Sequence, residues 1–209
     1  MNNDEGVIKY QLDYRQTPPL DAALIRELNA WRCILYQLQL IGRDEQRYGG
    51  YGYGNVSVRD PHDRHRFIIS GTQTAHIPDT TVEHYVLVTQ CDAVRNALTA
   101  RGPVKPSSEA LTHGTVYQSD AGIQFVFHIH NPSIWHHADH LHIPSTDPGV
   151  AYGTPEMATE IQRLIADPHI KEQAIIKMAG HEDGIISFAA TAEQAGVTLI
   201  KYLALAQQC

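Results

Sequence analysis

The run Phe125-Val126-Phe127-His128-Ile129-His130 places two imidazoles two positions apart among bulky apolar residues. Side chains alternate faces along a β-strand, so Val126, His128 and His130 point one way and Phe125, Phe127 and Ile129 the other. Two histidines on one strand face are a ready pair of metal ligands. A catalytic Zn²⁺ asks for three protein ligands and an open position, so a third must come from elsewhere. His181 lies in Ala179-Gly180-His181-Glu182-Asp183-Gly184, between two expected strands. A loop histidine taken alone is more often simply solvated. His136, His137, His140 and His142 form a denser group that reads first as an exposed polar cluster, with metal binding through His136 and His140 as the alternative.

Pro106-Ser107-Ser108-Glu109 sits where a helix should begin. Free N–H groups, the helix dipole and two hydroxyls there suit an anion such as phosphate. The plainer reading is an N-cap with Glu109 as a first-turn acid. Glu109 and His113 are four apart, on one helical face, a spacing that simple surface pairing also explains. The glycine-rich run Arg47-Tyr48-Gly49-Gly50-Tyr51-Gly52-Tyr53-Gly54-Asn55 leads into the alternating strand Val56-Ser57-Val58-Arg59. A dinucleotide fingerprint must instead follow a strand and open a helix, so that interpretation fails. A turn that brings backbone N–H groups and Asn55 to a small anion is one reading, a plain tight turn the other. Ser70-Gly71-Thr72 adds a hydroxyl and an N–H at a strand end.

The elements that must position these groups alternate along the chain. Leu24, Leu28, Trp31, Leu35 and Leu38 predict an amphipathic helix over 20–41, ending near Gly42. Strands are expected at 56–59, 66–70, 85–88, 125–130, 174–178 and 185–188. Helices are expected at 107–117, at 155–164 and from Thr191, where Gln194 three residues on makes a capping box. There is no break in composition, no linker and no repeat, which points to one α/β domain.

The chain has 209 residues, 43% hydrophobic and 19% charged, with a formal charge of −7. No Lys/Arg cluster offers a phosphate-neutralising surface, which argues against nucleic-acid binding. Cys33, Cys91 and Cys209 are odd in number and widely spaced, so a reducing, cytoplasmic setting is expected. The acidic, polar start does not read as a signal peptide, and no apolar run approaches the ~18 residues of a membrane span.

Taken in order, five stations resemble the class II aldolase/adducin family. They are Gly54-Asn55-Val56-Ser57-Val58-Arg59, Ile69-Ser70-Gly71, Pro106-Ser107-Ser108-Glu109, His128-Ile129-His130, and a later His before a Gly-apolar strand. Tyr152-Gly153-Thr154-Pro155-Glu156 and the helix after Thr191 also resemble family segments, so the likeness runs over roughly residues 20–208. It implies a three-layer α/β/α sandwich on a mostly antiparallel sheet, one domain over 1–209 with 1–19 as an N-terminal extension. It also implies homotetramers with active sites at subunit interfaces.

In phosphate-using members, residues matching Asn55, Ser70, Gly71, Ser107 and Ser108 cradle the substrate phosphate, and the match to Glu109 is the acid/base. Three histidines hold Zn²⁺ or another divalent ion such as Mn²⁺, Fe²⁺ or Co²⁺. The implied chemistry is retro-aldol cleavage of a small, phosphorylated hydroxy-carbonyl compound through a metal-stabilised enediolate. Epimerase, dehydratase and decarboxylase chemistry are the alternatives within the family. A non-catalytic adducin-like interaction module is the rival, but it has no need of the histidines and Glu109.

Two departures stand out. The third family histidine directly precedes a glycine, so a gap-free match puts Asp183 in that place, whereas His181 is reached by a two-residue bulge and completes a three-imidazole set. The proton-donating tyrosines of family aldolases have no clear counterpart, and Tyr152 is the substitute considered.

Overall fold

A computed structural model describes residues 7–209. In chain order its strands are β1 (Gln11–Gln16), β2 (Gly42–Arg43), β3 (Gly52–Tyr53), β4 (Asn55–Arg59), β5 (Phe67–Ser70), β6 (Tyr85–Asp92), β7 (Ala97–Gly102), β8 (Phe125–His130), β9 (Ile175–Lys177) and β10 (Gly184–Ala189). The α-helices are α1 (Arg26–Gln37), α2 (Ala110–Ser119), α3 (Pro132–His136), α4 (Pro155–Ile165), α5 (Pro168–Gln173) and α6 (Ala192–Ala206). Eight strands pair in the order β1-β7-β6-β5-β4-β8-β10-β9, and β2 with β3 forms a separate ribbon. Only the β1–β7 pair is parallel among the described residues. No described helix is long and apolar enough to cross a membrane.

Period-two alternation sorts the core onto the two sheet faces. Phe125, Phe127 and Ile129 join Val56, Ile68 and Ile185 in one apolar cluster with Leu28 and Leu35 of α1 and Leu199 of α6. Val126 joins Ile69, Val86 and Ile186 in the other, with Leu111 and Val116 of α2 and Met157 and Ile161 of α4. His128 and His130 share Val126's face, the side that α2 and α4 cover. Phe127 and Ile129 are fully buried, each contributing roughly 1.5–3 kcal/mol of burial free energy. The strand that carries the imidazoles is therefore anchored by its other face.

Several elements differ from the sequence expectation. The first helix is divided: Asp21 caps a 3₁₀ turn over Ala22–Ile25, and α1 follows. It stops at Gln37 because Gln39 turns left-handed at φ 57°, sending Leu40 and Ile41 into the core while Leu38 stays 40% exposed. Residues 11–16, expected within an N-terminal extension, form β1 at the sheet edge. Only Leu12 and Tyr14 turn inward, half-buried against the second apolar cluster, so its alternation spans just two apolar residues. β7 lacks the β-branched run that identifies a strand, and α5 is one short turn-and-a-half opened by the Asp167-Pro168 cap. The last helix begins as expected, with Thr191 Oγ1 accepting from Gln194 N–H at 3.1 Å.

Candidate metal centre and anion cavity

β8 lies between β4 and β10, with Asn55 opposite His128 on one side and Gly184 opposite His130 on the other. Gly54 makes this approach possible. Its φ is 78°, and a Cβ there would fall 2.7 Å from Ile41 Cγ1 and 3.1 Å from the His128 carbonyl oxygen. The turn between β9 and β10 then brings His181 over the same face, closed by His181 N–H to Met178 O and Gly184 N–H to His181 O. Gly180 is required for that turn to seat, since a Cβ would overlap the Val150 carbonyl.

The ligand atoms of His128, His130 and His181 all lie within 4.8 Å of one another, and the three residues are 1%, 2% and 3% exposed. His128 Nδ1 sits 3.2 Å from the Ile185 carbonyl oxygen. Nδ1 must carry the proton to donate there, which leaves Nε2 as a bare lone pair. That Nε2 is 3.2 Å from His130 Nε2. Without an ion this separation is a hydrogen bond from His130. It also matches the about 3.4 Å between two nitrogens on a tetrahedral ion with bonds of about 2.0–2.1 Å. The His181 ring stacks on His128 at 5.0 Å and stands edge-on to His130 at 4.7 Å. The donor set therefore fits a divalent ion that accepts neutral imidazoles.

Burial, and secondarily the neighbouring His181, holds His128 and His130 well below the usual imidazole pKa. Burial alone lowers His113 to about 3. His113, His128 and His130 are thus neutral at pH 7, which for His128 and His130 is the form that ligates. A linked prediction concerns stability. Above the unfolded value near 6.5 these groups are neutral in both states and contribute no pH dependence. As pH falls below it the unfolded chain takes up protons that the folded protein refuses, costing up to about 1.4 kcal/mol per pH unit per group. Metal-stripped protein should lose Tm steadily from pH 7 to pH 5 and change little from these groups between 7 and 8. A flat Tm from 7 to 5 would contradict the buried, neutral assignment.

Glu109 is 1% exposed and its Oε1 lies 3.7 Å from His181 Nδ1. Thr112 Oγ1 donates to Glu109 Oε2 at 3.2 Å, one turn along. α2 starts at Ala110, so Glu109 is the N-cap position and the two serines precede the helix. Sequence spacing left Glu109–His113 as a surface pair, and the structure corrects this. His113 is fully buried, with Nδ1 2.7 Å from Ser57 Oγ, and Ser57 Oγ 2.7 Å from the Tyr117 hydroxyl.

Of the expected anion-binding residues, Asn55, Gly71, Ser107 and Ser108 line one small cavity together with Gly54 and Thr72. Ser70 is not among the lining residues, and its hydroxyl instead accepts from Val56 N–H at 3.2 Å. The cavity lining includes the hydroxyl residues Thr72, Ser107 and Ser108 and the amide residues Asn55 and Gln73, and among the described residues no Lys or Arg. An anion there would be held by hydrogen bonds and the start of α2. Ser107 is braced by Tyr10, whose hydroxyl donates to its carbonyl at 2.8 Å. Tyr152 lies at the centre through its ring, stacked on His181 at 4.4 Å with the Lys9 ammonium 3.7 Å from its centroid. Lys9 and Tyr10 escape sequence reasoning because nothing local ties them to the site.

A family model described as the class II aldolase and adducin N-terminal domain matches residues 43–208. The chain belongs to that family. Solved structures agree on the fold. An L-fuculose 1-phosphate aldolase has 19% identity and a TM-score of 0.64, covering 90% of this chain and 85% of its own. The L-fuculose-1-phosphate aldolase of Thermus thermophilus has 19% identity and a TM-score of 0.57, covering 87% and 86%. YgbL of Escherichia coli, described as an aldolase/epimerase/decarboxylase, has 15% identity and a TM-score of 0.64, covering 90% and 88%. No curated protein matches by sequence.

Family membership makes the order His181-Glu182-Asp183-Gly184 the point of interest. Asp183 is buried but its Oδ2 faces Arg47 Nη2 at 2.5 Å and the Tyr48 hydroxyl at 2.7 Å. Among the described residues the cluster able to hold a metal contains His181 and omits Asp183. His136, His137, His140 and His142 are not brought together into such a cluster either. Arg47 and Tyr48 were legible only as part of a glycine-rich turn.

Proposed function

We propose that this chain is a divalent-metal-dependent lyase that cleaves a small sugar phosphate in the retro-aldol sense. The observation that carries the reading is the convergence of three buried imidazoles beside Glu109, two of them with nitrogens at ligand spacing. His128, His130 and His181 would hold the ion. A divalent ion bound there polarises a carbonyl and offsets the negative charge that develops as a bond to carbon breaks. Glu109 moves the proton at the reacting carbon, its carboxylate oriented by Thr112. Tyr152, stacked on His181, is the second proton-carrying group of the proposal. Asn55, Gly71, Ser107 and Ser108, with Ser70, hold the phosphate of the substrate and so fix the reacting carbon in place. The two apolar clusters on opposite sheet faces support the three-layer reading of the fold, and a homotetramer with sites at subunit interfaces belongs to the same proposal.

The test is a screen of ketose phosphates for release of dihydroxyacetone phosphate and an aldehyde, with and without chelator. Turnover that needs both the divalent ion and the phosphate group is expected, and Asn55→Ala should raise KM by about 10-fold, about the loss of one charge-assisted hydrogen bond. Activity confined to unphosphorylated acids would remove the phosphate assignment. Turnover indifferent to chelation would remove the metal. Inversion of a stereocentre, or release of CO₂, with the same metal dependence would move the chemistry elsewhere in the family.

A further inference from the structure

We propose that Asp183 is a positioning residue, whose carboxylate latches the His181 turn to the glycine-rich loop and thereby sets the site's affinity for its divalent ion. The inference rests on the metal reading above. Asp183 Oδ2 accepts from Tyr48 Oη at 2.7 Å and from Arg47 Nη2 at 2.5 Å, and the same Arg47 nitrogen donates to Tyr48 Oη at 2.6 Å. The three groups close a triangle in which the hydroxyl accepts from the guanidinium and donates to the carboxylate. Asp183 is 4% exposed and Tyr48 5% exposed, so the bond between them is shielded from competing water, while the Arg47 side chain is 36% exposed and closes the triangle from the solvent side.

The latch joins two segments whose backbone conformation is costly. Asp183 has φ 60°, and Tyr48, Gly49 and Gly50 have φ of 51°, 65° and 76°. Left-handed backbone at a non-glycine residue costs of order 1 kcal/mol and persists where surrounding contacts enforce it. Asp183 and Tyr48 both sit there, and each is the other's hydrogen-bond partner. One end of the latch touches a ligand and the other shares a turn with one. The Tyr48 ring stands edge-on to His130 at 4.7 Å, and Asp183 lies two residues from His181 in the same turn. His130 is thus clasped between Tyr48 and His181, each 4.7 Å away. Partners outside the coordination sphere that orient metal ligands are typically worth 10–100-fold in affinity. The two extra residues between His181 and Gly184 thereby acquire a role, since they carry the carboxylate that fixes the third ligand.

Zn²⁺ affinity, measured by competition with a chromophoric chelator, and the visible spectrum of the Co²⁺-loaded protein test this without relying on turnover. Asp183→Asn should weaken Zn²⁺ binding about 10–100-fold and alter the Co²⁺ bands. Tyr48→Phe removes one hydrogen bond and should weaken binding less. The double variant should be no worse than Asp183→Asn, because both act through one latch. Variants that bind within two-fold of wild type with unchanged Co²⁺ spectra would overturn the latch while leaving the metal site standing. A wild-type chain that binds no Zn²⁺ would instead overturn the metal reading. If Asp183→Asn does not fold, Tyr48→Phe decides: weaker binding supports the latch and unchanged binding overturns it.

Discussion

Glu109→Gln is expected to lower kcat by at least about 10²-fold, the usual worth of a positioned general acid/base. The substitution is nearly isosteric, so the bond from Thr112 Oγ1 still finds a carbonyl oxygen at the Oε2 position. The neighbouring imidazoles keep their places on β8 and in the 178–184 turn, so metal content should remain that of wild type. The expected result is thus a protein that folds, holds its ion and binds substrate, but turns over very slowly. A kcat within a few-fold of wild type, measured with metal content on the same sample, would remove Glu109 from the chemistry. Comparable loss of bound metal would assign it to ion binding instead.

The second large effect is expected from His128→Ala. His128 sits at the centre of β8, its tautomer fixed by the Ile185 carbonyl and its Nε2 aimed at His130. Two remaining imidazoles cannot make a closed three-nitrogen site. Bound metal should fall from about stoichiometric to near zero, with activity following. The fold should survive, because Phe127 and Ile129 anchor the strand from the opposite face. Far-UV circular dichroism should therefore be unchanged. His136→Ala, on an exposed residue of α3, is the control and should leave both metal content and turnover as they are. Equal metal content in His128→Ala and wild type would contradict the assignment.

How much of this was legible in the sequence depends on burial. β8 is buried along its whole length, and a strand buried on both faces reads as a short run of bulky apolar residues. The same holds for β5 and β10, while β4 shows by alternation and the last helix by its cap at Thr191. Edge strand β1 (Gln11–Gln16) turns only Leu12 and Tyr14 inward, an alternation too short to stand out among polar residues. The helix expected over 20–41 failed at its ends. There, packing of Leu40 and Ile41 into the core outweighed continuation of the helical period.

At the site the reading divides along the same line. His128 and His130 are two apart on one strand, so local geometry alone pairs them. His181 is distant in sequence, and only the closed turn after β9 tells it from Asp183. Glu109–His113 shows the limit of spacing arguments: the two residues share a helical face, but His113 points into the sheet toward Ser57. Arg47 and Tyr48 meet Asp183 across more than 130 residues of chain, a contact that no local pattern encodes. Family resemblance supplied the order of the stations, and the fold supplied which residues face one another.

On the proposed reading, His128, His130 and His181 form one divalent-metal site. X-ray absorption at the zinc edge, on Zn²⁺-loaded protein of known stoichiometry, tests it most directly. About one Zn²⁺ per chain is expected, with a first shell of about three imidazole nitrogens at about 2.0–2.1 Å. A substoichiometric ion, or a shell dominated by oxygen or sulfur, would contradict it.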